Sequence, residues 1–388
     1  MARVPDVIGA LLCGAGIAAG ALAMARPRPL PPPCSSTSSP GRHGDGVIGV
    51  VSVIVPARNE AETLPALLRS LRLAGPLVRE VIVVDDNSTD ATATVAAEHG
   101  ATVLRLDSEP PPGWTGKNHA CARGAAIASA PQLLFLDADV VLSDTAMTRL
   151  LCAHAAHGGL VSVQPFHTVR DAYEELSAGC NIVSMMGSGA FAAWRSRVRP
   201  AAFGPCLMTS ADDYAWAGGH ASVRGDVVED ISLARRYAEC GLSVRVFMGG
   251  DAVSFRMYPR GLRQLVEGWT KNLATGSRSA QPIAVVAAAS WLTACLAIGV
   301  NGIAALIRIR VLSPADALVA ALAWLLVACH TRWMLGRIGG FRALTALLHP
   351  VPFWAFVALF GRSTWLTTVH RAVLWKGRAI DLEHRRAS

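Results

Sequence analysis

Lysine is nearly absent from this chain. Of its 36 basic residues only Lys117, Lys271 and Lys376 are lysines, and arginine fills every other cationic position. A lysine kept against such a bias is a candidate for a place that needs a compact, rotatable ammonium. Charge of either sign is scarce as well. Charged residues make up 16% of the chain and hydrophobic ones 52%, with a mean hydropathy of +0.36. An ordinary soluble enzyme carries about 25% charged residues. The nine cysteines contain no C-x-x-C pair. Neither a disulfide framework nor a zinc site is indicated, and the thiols read as reduced and mostly structural. No G-x-G-x-x-G follows the first strand, so a dinucleotide site is not expected. The net charge of +8 comes without arginine runs interleaved with aromatics. It fits contact with a membrane leaflet, and no nucleic acid partner is expected. Internal repeats are lacking too.

The apolar excess lies at the two ends. Residues 7–25 carry no charge over 19 positions, enough to cross a hydrocarbon core of about 30 Å. A cleaved signal peptide is the rival, because "ALAMA" holds an A-x-A-like site. Against it, the run exceeds the usual h-region and Arg3 stands beside Asp6. Arg26, Arg28 and Arg42 follow, which puts the downstream side in the cytoplasm. Residues 1–26 are therefore expected to be an anchor. Three further apolar stretches, near 283–307, 315–335 and 343–361, fall within an expected membrane region, 281–370. The first two read as spans. Three full spans would carry the basic tail, 371–388, out of the cytoplasm against the charge rule. A re-entrant or interfacial third stretch, broken at His349–Pro352, resolves the conflict.

Between these ends lie a Pro/Ser-rich linker, 27–48, and a domain expected over 49–280. "VSVIVP" (51–56), "EVIVVDD" (80–86), "ATVLRL" (101–106) and "QLLFLDAD" (132–139) read as strands alternating with helical segments. Continuous apolar strands in such alternation predict an α/β fold with a mostly parallel sheet covered on both faces. Ligands of such sheets sit beyond the carboxyl ends of the strands. Arg58, Asn59 and Glu60, then Asp85 and Asp86, then Asp137 and Asp139 fall at those ends. Residues 160–215 hold no interpretable motif, and "MMGSGAFAAW" (185–194) reads as a core or interfacial helix or as a lipid contact.

Asp137-x-Asp139 suits a hard divalent cation shared with phosphate oxygens, although D-x-D is also ordinary turn chemistry. Glu60, Asp85 and Asp86 could instead be acids at helix N-termini, a reading that fits Glu60 as well as function does and Asp86 less well. Gly218–Gly219 permits a tight turn or a close backbone approach. Glu229–Asp230 opens a helix, either as plain capping or as a general base. Arg256, Arg260, Trp269 and Lys271 precede the first membrane stretch. They read as contacts to a leaving diphosphate or an apolar acceptor, or as a juxtamembrane belt.

Taken in order, "VSVIVPARNEAETLPALLRSL", "VIVVDDNSTDAT", "FLDADV" and "GGH…VVEDISLARR" resemble the motifs of family 2 glycosyltransferases with the GT-A fold. The resemblance covers roughly 50–272. "GWTGKNHA" and "GGHASVRGDVVEDISLARR" are most similar to membrane-associated members linked to carotenoid and hopanoid pathways. It implies a GT-A nucleotide-sugar-binding domain with an N-terminal anchor helix and C-terminal membrane helices. Pro56, Arg58, Glu60, Asp86, Lys117, Asp137, Gly218 and Gly219 would then bind a nucleotide sugar, a UDP-sugar being favoured. Asp139 with Asp137 would hold Mg2+ or Mn2+, and Asp230 with Glu229 would be catalytic. "GKNHACARG" resembles the family's G-K-x-x-A-L-N-x-G segment but has Ala122 where the family often has Asn. No clean Q-x-x-R-W is present, which favours transfer of one sugar over polymerisation. The implied acceptor is a lipid or isoprenoid in the membrane. A polyprenyl phosphate acceptor and a catalytically silent scaffold are the alternatives.

Overall fold

The computed structural model describes residues 4–34, 42–43, 46–47, 49–194, 200–369, 372–375 and 378–381. The middle of the linker and most of the basic tail, with Lys376, lie outside the described residues. Two compact units are present. One comprises Arg28–His167 and Arg197–Met257, the other Met1–Pro27, Thr168–Ser196 and Tyr258–Ser388. This division departs from the linear boundaries, since 168–196 and 258–280 group with the apolar helices.

The first unit is built on seven strands: β1 Val51–Ala57, β2 Val78–Asp85, β3 Thr102–Arg105, β4 Gln132–Leu136, β5 Leu160–Gln164, β6 Cys206–Ser210 and β7 Val244–Met248. Their order across the sheet is β7-β5-β6-β4-β1-β2-β3. The four strands expected from apolar runs form a continuous parallel half, β4-β1-β2-β3. Only β6 runs against its neighbours, pairing antiparallel with β4 and β5. Alternation of side chains divides the core. Ile54, Ile82, Val84, Leu133 and Phe135 pack with Ala120, Cys121, Leu233 and Tyr237 on one face. Val53, Val55, Val83, Leu134 and Leu136 pack with Leu64, Leu67, Leu150 and Leu151 on the other. A three-stranded sheet of Val140–Leu142, Val253–Phe255 and Phe166–His167 continues the chain just past Asp137–Asp139.

The start of the expected linker is fixed to this unit. Met248 donates its N–H to the Arg28 carbonyl at 2.7 Å and Leu30 returns one to Met248 at 3.3 Å. Arg149 donates to the carbonyls of Leu30 and Pro31 at 2.8 and 2.9 Å. Cys34 and Cys152 are joined as a disulfide. That single bond corrects the expectation of wholly reduced thiols. Its partners are 118 residues apart, and no sequence spacing announces such a pair.

In the helical unit, Val4–Ala23 packs against Pro282–Ile307 through small residues, and a Cβ on Gly20 would lie 2.2 Å from the Trp291 ring. Pro282–Ile307 and Pro314–Ile338 are 26 and 25 residues long and apolar enough to cross a membrane; Ile8–Ala23 is a shorter apolar helix. Leu306, Ile307, Leu318, Val319 and Leu322 are exposed on the two long helices, as lipid-facing side chains would be. The third apolar stretch does break at the expected place. A short helix, Ala343–Leu347, stops before His349, and Pro350 begins a new helix, Pro350–Val369. Proline is tolerated in a first turn but not in the interior. Met185 and Met186 are buried in the helix Ser177–Ser188, so that segment is core.

The helix Gly116–Ile127 lies directly on β1 and β2. A Cβ on Gly124 would meet Ile54 Cγ2 at 2.6 Å and Val84 Cγ2 at 2.9 Å, and both neighbours are stiff β-branched side chains. Gly124→Ala is therefore expected to destabilise this unit by about 1–3 kcal/mol from overpacking, despite the better helix former. Chemical denaturation followed by tryptophan fluorescence checks this; unchanged stability would mean that the helix lifts from the sheet at no cost.

Candidate active site

Strands β4, β1 and β2 lie side by side, so the segments leaving their carboxyl ends share one edge. Beyond β1 the chain turns at Asn59, and beyond β2 at Asn87, both left-handed with φ of 55° and 54°. Asn tolerates that conformation. Short bonds knit the two turns together: Asn59 Oδ1 accepts the Thr89 N–H at 2.8 Å, and the Glu60 N–H donates to Thr92 Oγ1 at 2.8 Å. Arg58 donates to the Asp86 carbonyl at 3.0 Å and lies 4.0 Å from its carboxylate. Asp86 is buried. Asp85 Oδ1 accepts the Ser88 N–H at 3.1 Å, which makes it a turn residue. Glu60 accepts the Thr63 hydroxyl at 2.7 Å just ahead of the helix Leu64–Arg72, whose first turn holds no acid. Pro56 stands in β1 opposite Val84.

Beyond β4 the charge is denser. Lys117 sits in the first turn of its helix, whose N-cap is Thr115. Its ammonium lies 2.8 Å from Asp137 Oδ1 and 2.8 Å from Glu229 Oε1. Burial opposes the charge of Lys117, yet Asp137 and Glu229 hold its pKa well above the ordinary lysine value. Asp230, next to Glu229 at the start of the helix Glu229–Glu239, accepts the Gly204 N–H through Oδ2 and the Ile231 N–H through Oδ1, each at 2.8 Å. Burial and the neighbouring Glu229 charge push its pKa up to about 7, against the pull of Lys117 and the two N–H groups. A carboxyl group balanced near neutrality suits proton transfer at ordinary pH.

Three supports of this cluster were not expected in that role. Asn118 is fully buried, and its amide donates to the carbonyls of Val223, Arg224 and Asp226 at 2.7, 3.1 and 3.1 Å. It ties the Lys117 helix to the loop that leads into Glu229. Gly204 and Pro205 cross the mouth ahead of β6, the latter accepting the Asp137 N–H at 3.0 Å. A Cβ on Gly204 would stand 3.3 Å from both the Lys117 ammonium and Glu229 Oε1. Ser162 holds that segment, accepting the Phe203 N–H at 2.7 Å.

Other expected residues fall differently. Gly218 and Gly219 adopt left-handed backbones, with φ of 79° and 51°. A Cβ on Gly219 would lie 2.5 Å from the Tyr214 ring, so the close approach is to protein. Beside this turn His220 is buried and bonded to the Tyr214 hydroxyl at 2.9 Å. Burial, with Lys117 nearby, pushes its pKa down to about 3, and it stays neutral. Arg256 is half-buried after Val253–Phe255. Arg260, Trp269 and Lys271 belong to the helical unit. There Arg260 is exposed and Lys271 half-buried. Trp269 is 4% exposed, and its indole N–H donates to Ser177 at 2.9 Å. That corrects the expectation of an aromatic face open to an acceptor: the ring is a packing element between helices. Asp137 and Asp139 are both half-buried where β4 ends. Among the described residues no group of three His, Cys, Asp or Glu side chains forms a metal cluster.

Replacing Asn118 by Leu removes the donors to the buried Val223 carbonyl and to the part-buried carbonyls of Arg224 and Asp226. A cost of about 2–4 kcal/mol is expected, with faster hydrogen–deuterium exchange at residues 222–230. Unchanged protection there would mean that the loop is held by other contacts.

Comparison with known proteins agrees with the expected architecture. Residues 52–203 match the family model described as Glycosyl transferase family 2. The chain is 35% identical to the 4,4'-diaponeurosporenoate glycosyltransferase of Staphylococcus aureus strain MRSA252 over 336 residues, 86% of this chain and 88% of that protein. The corresponding protein of strain USA300 is 34% identical with the same coverage. Among solved structures, a mannosyltransferase from Pyrobaculum calidifontis in complex with GDP-Man and Mn2+ superposes with a TM-score of 0.53 at 16% identity, over 94% of this chain and 99% of that one. This likeness shows the shared GT-A-type fold. The chain belongs to glycosyl transferase family 2.

Proposed function

We propose that this glycosyltransferase moves a single sugar from a nucleotide sugar to a hydroxyl or carboxylate on a membrane-embedded, isoprenoid-type acceptor, with inversion at the anomeric carbon. The observation that carries the reading is Asp230, held by the Gly204 N–H beside the Lys117–Asp137–Glu229 bridge. In one displacement the acceptor oxygen bonds to the anomeric carbon as the bond to the diphosphate oxygen breaks, and that electron pair leaves with the nucleotide. Asp86 and Arg58 bind the nucleoside, and Lys117 turns its ammonium toward the phosphates. The apolar helices dock the domain on the cytoplasmic face of the membrane, which places it against an acceptor dissolved there. The relative's name supports an isoprenoid acceptor.

Asp139 and Asp137 are the residues that would hold Mg2+ or Mn2+. Two carboxylates on one strand end, completed by phosphate oxygens, fit the oxygen-rich demand of these ions. When bound, such an ion neutralises charge developing on the leaving diphosphate. The P. calidifontis protein was solved with Mn2+. Asp139→Ala is expected to abolish the metal-dependent rise in melting temperature that a UDP-sugar gives the wild type. Full activity of the wild type in EDTA would refute the metal role.

The two acceptor chemistries leave opposite marks on the pH profile. A hydroxyl must lose its proton to Asp230. The working form is then the carboxylate, and kcat/KM rises with pH through about 7 before levelling. Asp230→Asn would remove that limb and lower transfer by about 10²–10⁴-fold with donor binding retained. A carboxylate acceptor, as the relative's name denotes, is already ionised, with a pKa near the ordinary 4–5. Protonated Asp230 then repels it least, so kcat/KM falls as pH rises through the same range and Asp230→Asn stays active. Equal loss of donor binding and transfer in Asp230→Asn would sink both roles.

A further inference from the structure

Within the helical unit, the helix Pro314–Ile338 and the short helix Ala343–Leu347 bound a groove of about 860 Å³. Leu325, Ala328, Leu344 and Leu347 give it apolar walls, and Arg332 and Arg337 line it toward the C-terminal end of the long helix. The walls are fixed in place. Trp324 donates its indole N–H across the helices to the Leu347 carbonyl at 2.9 Å. The short helix is tied behind by Glu175, which accepts the Thr345 hydroxyl and lies 3.6 Å from Arg342.

Among the described residues no carboxylate pairs with Arg332 or Arg337. Arg337 donates to the Trp333 carbonyl at 2.8 Å and lies over the Trp333 ring at 4.2 Å, so its guanidinium is oriented. Arg332 is exposed and lies along Gly336, where an added Cβ would come within 2.9 Å of Nη1. Their depth is also defined. Arg332 stands 18 positions beyond Pro314, about 27 Å along a helix, against a hydrocarbon core of about 30 Å. If the exposed leucines of that helix (Leu318, Leu322, Leu325 and Leu326) face lipid, the guanidinium groups sit at headgroup level.

We infer that this groove binds one anionic phospholipid, with its phosphate on Arg332 and Arg337 and an acyl chain along Leu325, Leu344 and Leu347. Guanidinium–phosphate bonds are short and directional, and an apolar channel leading from paired cations matches a charged head with a long tail. The inference rests on the reading that Pro314–Ile338 spans the membrane.

The test uses the full chain purified in mild detergent, with phosphatidylglycerol and phosphatidylcholine added at equal concentration and adducts counted by native mass spectrometry. The wild type is expected to retain phosphatidylglycerol preferentially. Arg332→Gln and Arg337→Gln should each cut that preference about fivefold, the scale of one basic residue at an anionic surface. Arg332→Lys should keep most of it, which separates lost charge from lost fold. Equal retention of both lipids by the wild type, or an unchanged preference in the double Gln variant, overturns the inference. So does displacement of the glycerophospholipid by an isoprenoid carboxylic acid at equal concentration, because the groove would then belong to the acceptor. Carbonate extraction of membranes from expressing cells tests the underlying reading separately. A wild type released by carbonate defeats the spanning helix itself, whereas one retained there but lacking lipid preference defeats only the groove.

Discussion

One ammonium holds two carboxylates together beside a third. Lys117 bridges Asp137 and Glu229 at 2.8 Å each, and Asp230 follows Glu229 in the chain. Carboxylates this close repel one another unless positive charge is shared among them, and a half-buried setting strengthens the repulsion. Lys117 relieves part of it. Burial, with the Glu229 charge added to it, leaves the Asp230 pKa pushed up to about 7. The cluster therefore keeps a standing preference for additional positive charge. That preference is in keeping with the metal–diphosphate pair proposed above. It also gives a reason for a lysine here in a chain that uses arginine at all but two other cationic positions. A single nitrogen can lie close to two oxygens in the small space left by Gly204, where a planar guanidinium would demand a wider fork.

The bridge is only as good as the backbone that aims it. Its three members come from a helix start, a strand end and a second helix start, spread along the chain from Lys117 to Glu229. Two devices bring them into register. Asn118 clamps the Lys117 helix to the loop before Glu229, and the Thr115 N–H reaches the Arg224 carbonyl at 2.8 Å in the same place. From the other side, the 203–205 segment offers the Gly204 N–H to Asp230 and takes the Asp137 N–H on Pro205. The antiparallel β6 gives that segment its course, because only a strand entering from this edge delivers its leading residues to the carboxyl end of β4. The one exception to the parallel sheet is thus a requirement of the site.

The parallel half of the sheet was legible because strands buried on both faces read as unbroken apolar runs, as in "VSVIVP" and "EVIVVDD". The acids at their ends were legible because they interrupt those runs. Strand β6, "CLMTS", ends in two hydroxyl residues and has no run long enough to announce itself. Its fully buried Thr209 is satisfied by the Tyr237 hydroxyl at 2.8 Å, a partner that only tertiary structure supplies. The same limit applies to Asn118, whose three carbonyl partners lie more than a hundred positions away. Gly218–Gly219 and Trp269 are ambiguous in the sequence for a different reason. A glycine pair records that something approaches closely, and a tryptophan that a large ring is accommodated. Neither says whether the neighbour is ligand or protein, and here Tyr214 and Ser177 fill those places.

The linear order of the chain conceals how its two units are assembled. The segment around 168–196 reads as a continuation of the sheet domain, yet its helix Ser177–Ser188 packs with Leu262–Ser279 and Pro350–Val369. Ser363 donates to the Thr270 carbonyl at 2.6 Å, and a Cβ on Gly179 would lie 2.4 Å from the Pro352 carbonyl oxygen. The chain therefore leaves the sheet unit after His167, contributes to the helical unit, and returns by Arg197 to lay down β6. Each unit is incomplete without a segment inserted from within the other's sequence span. Such interleaving denies either unit an independent fold from a contiguous piece of chain. A chain trimmed at linear domain boundaries loses Ser177–Ser188 from the helices or β6 from the sheet, and with β6 goes the 203–205 segment that orders Asp230. The apolar helices are consequently tied to the sheet unit by the course of the chain itself.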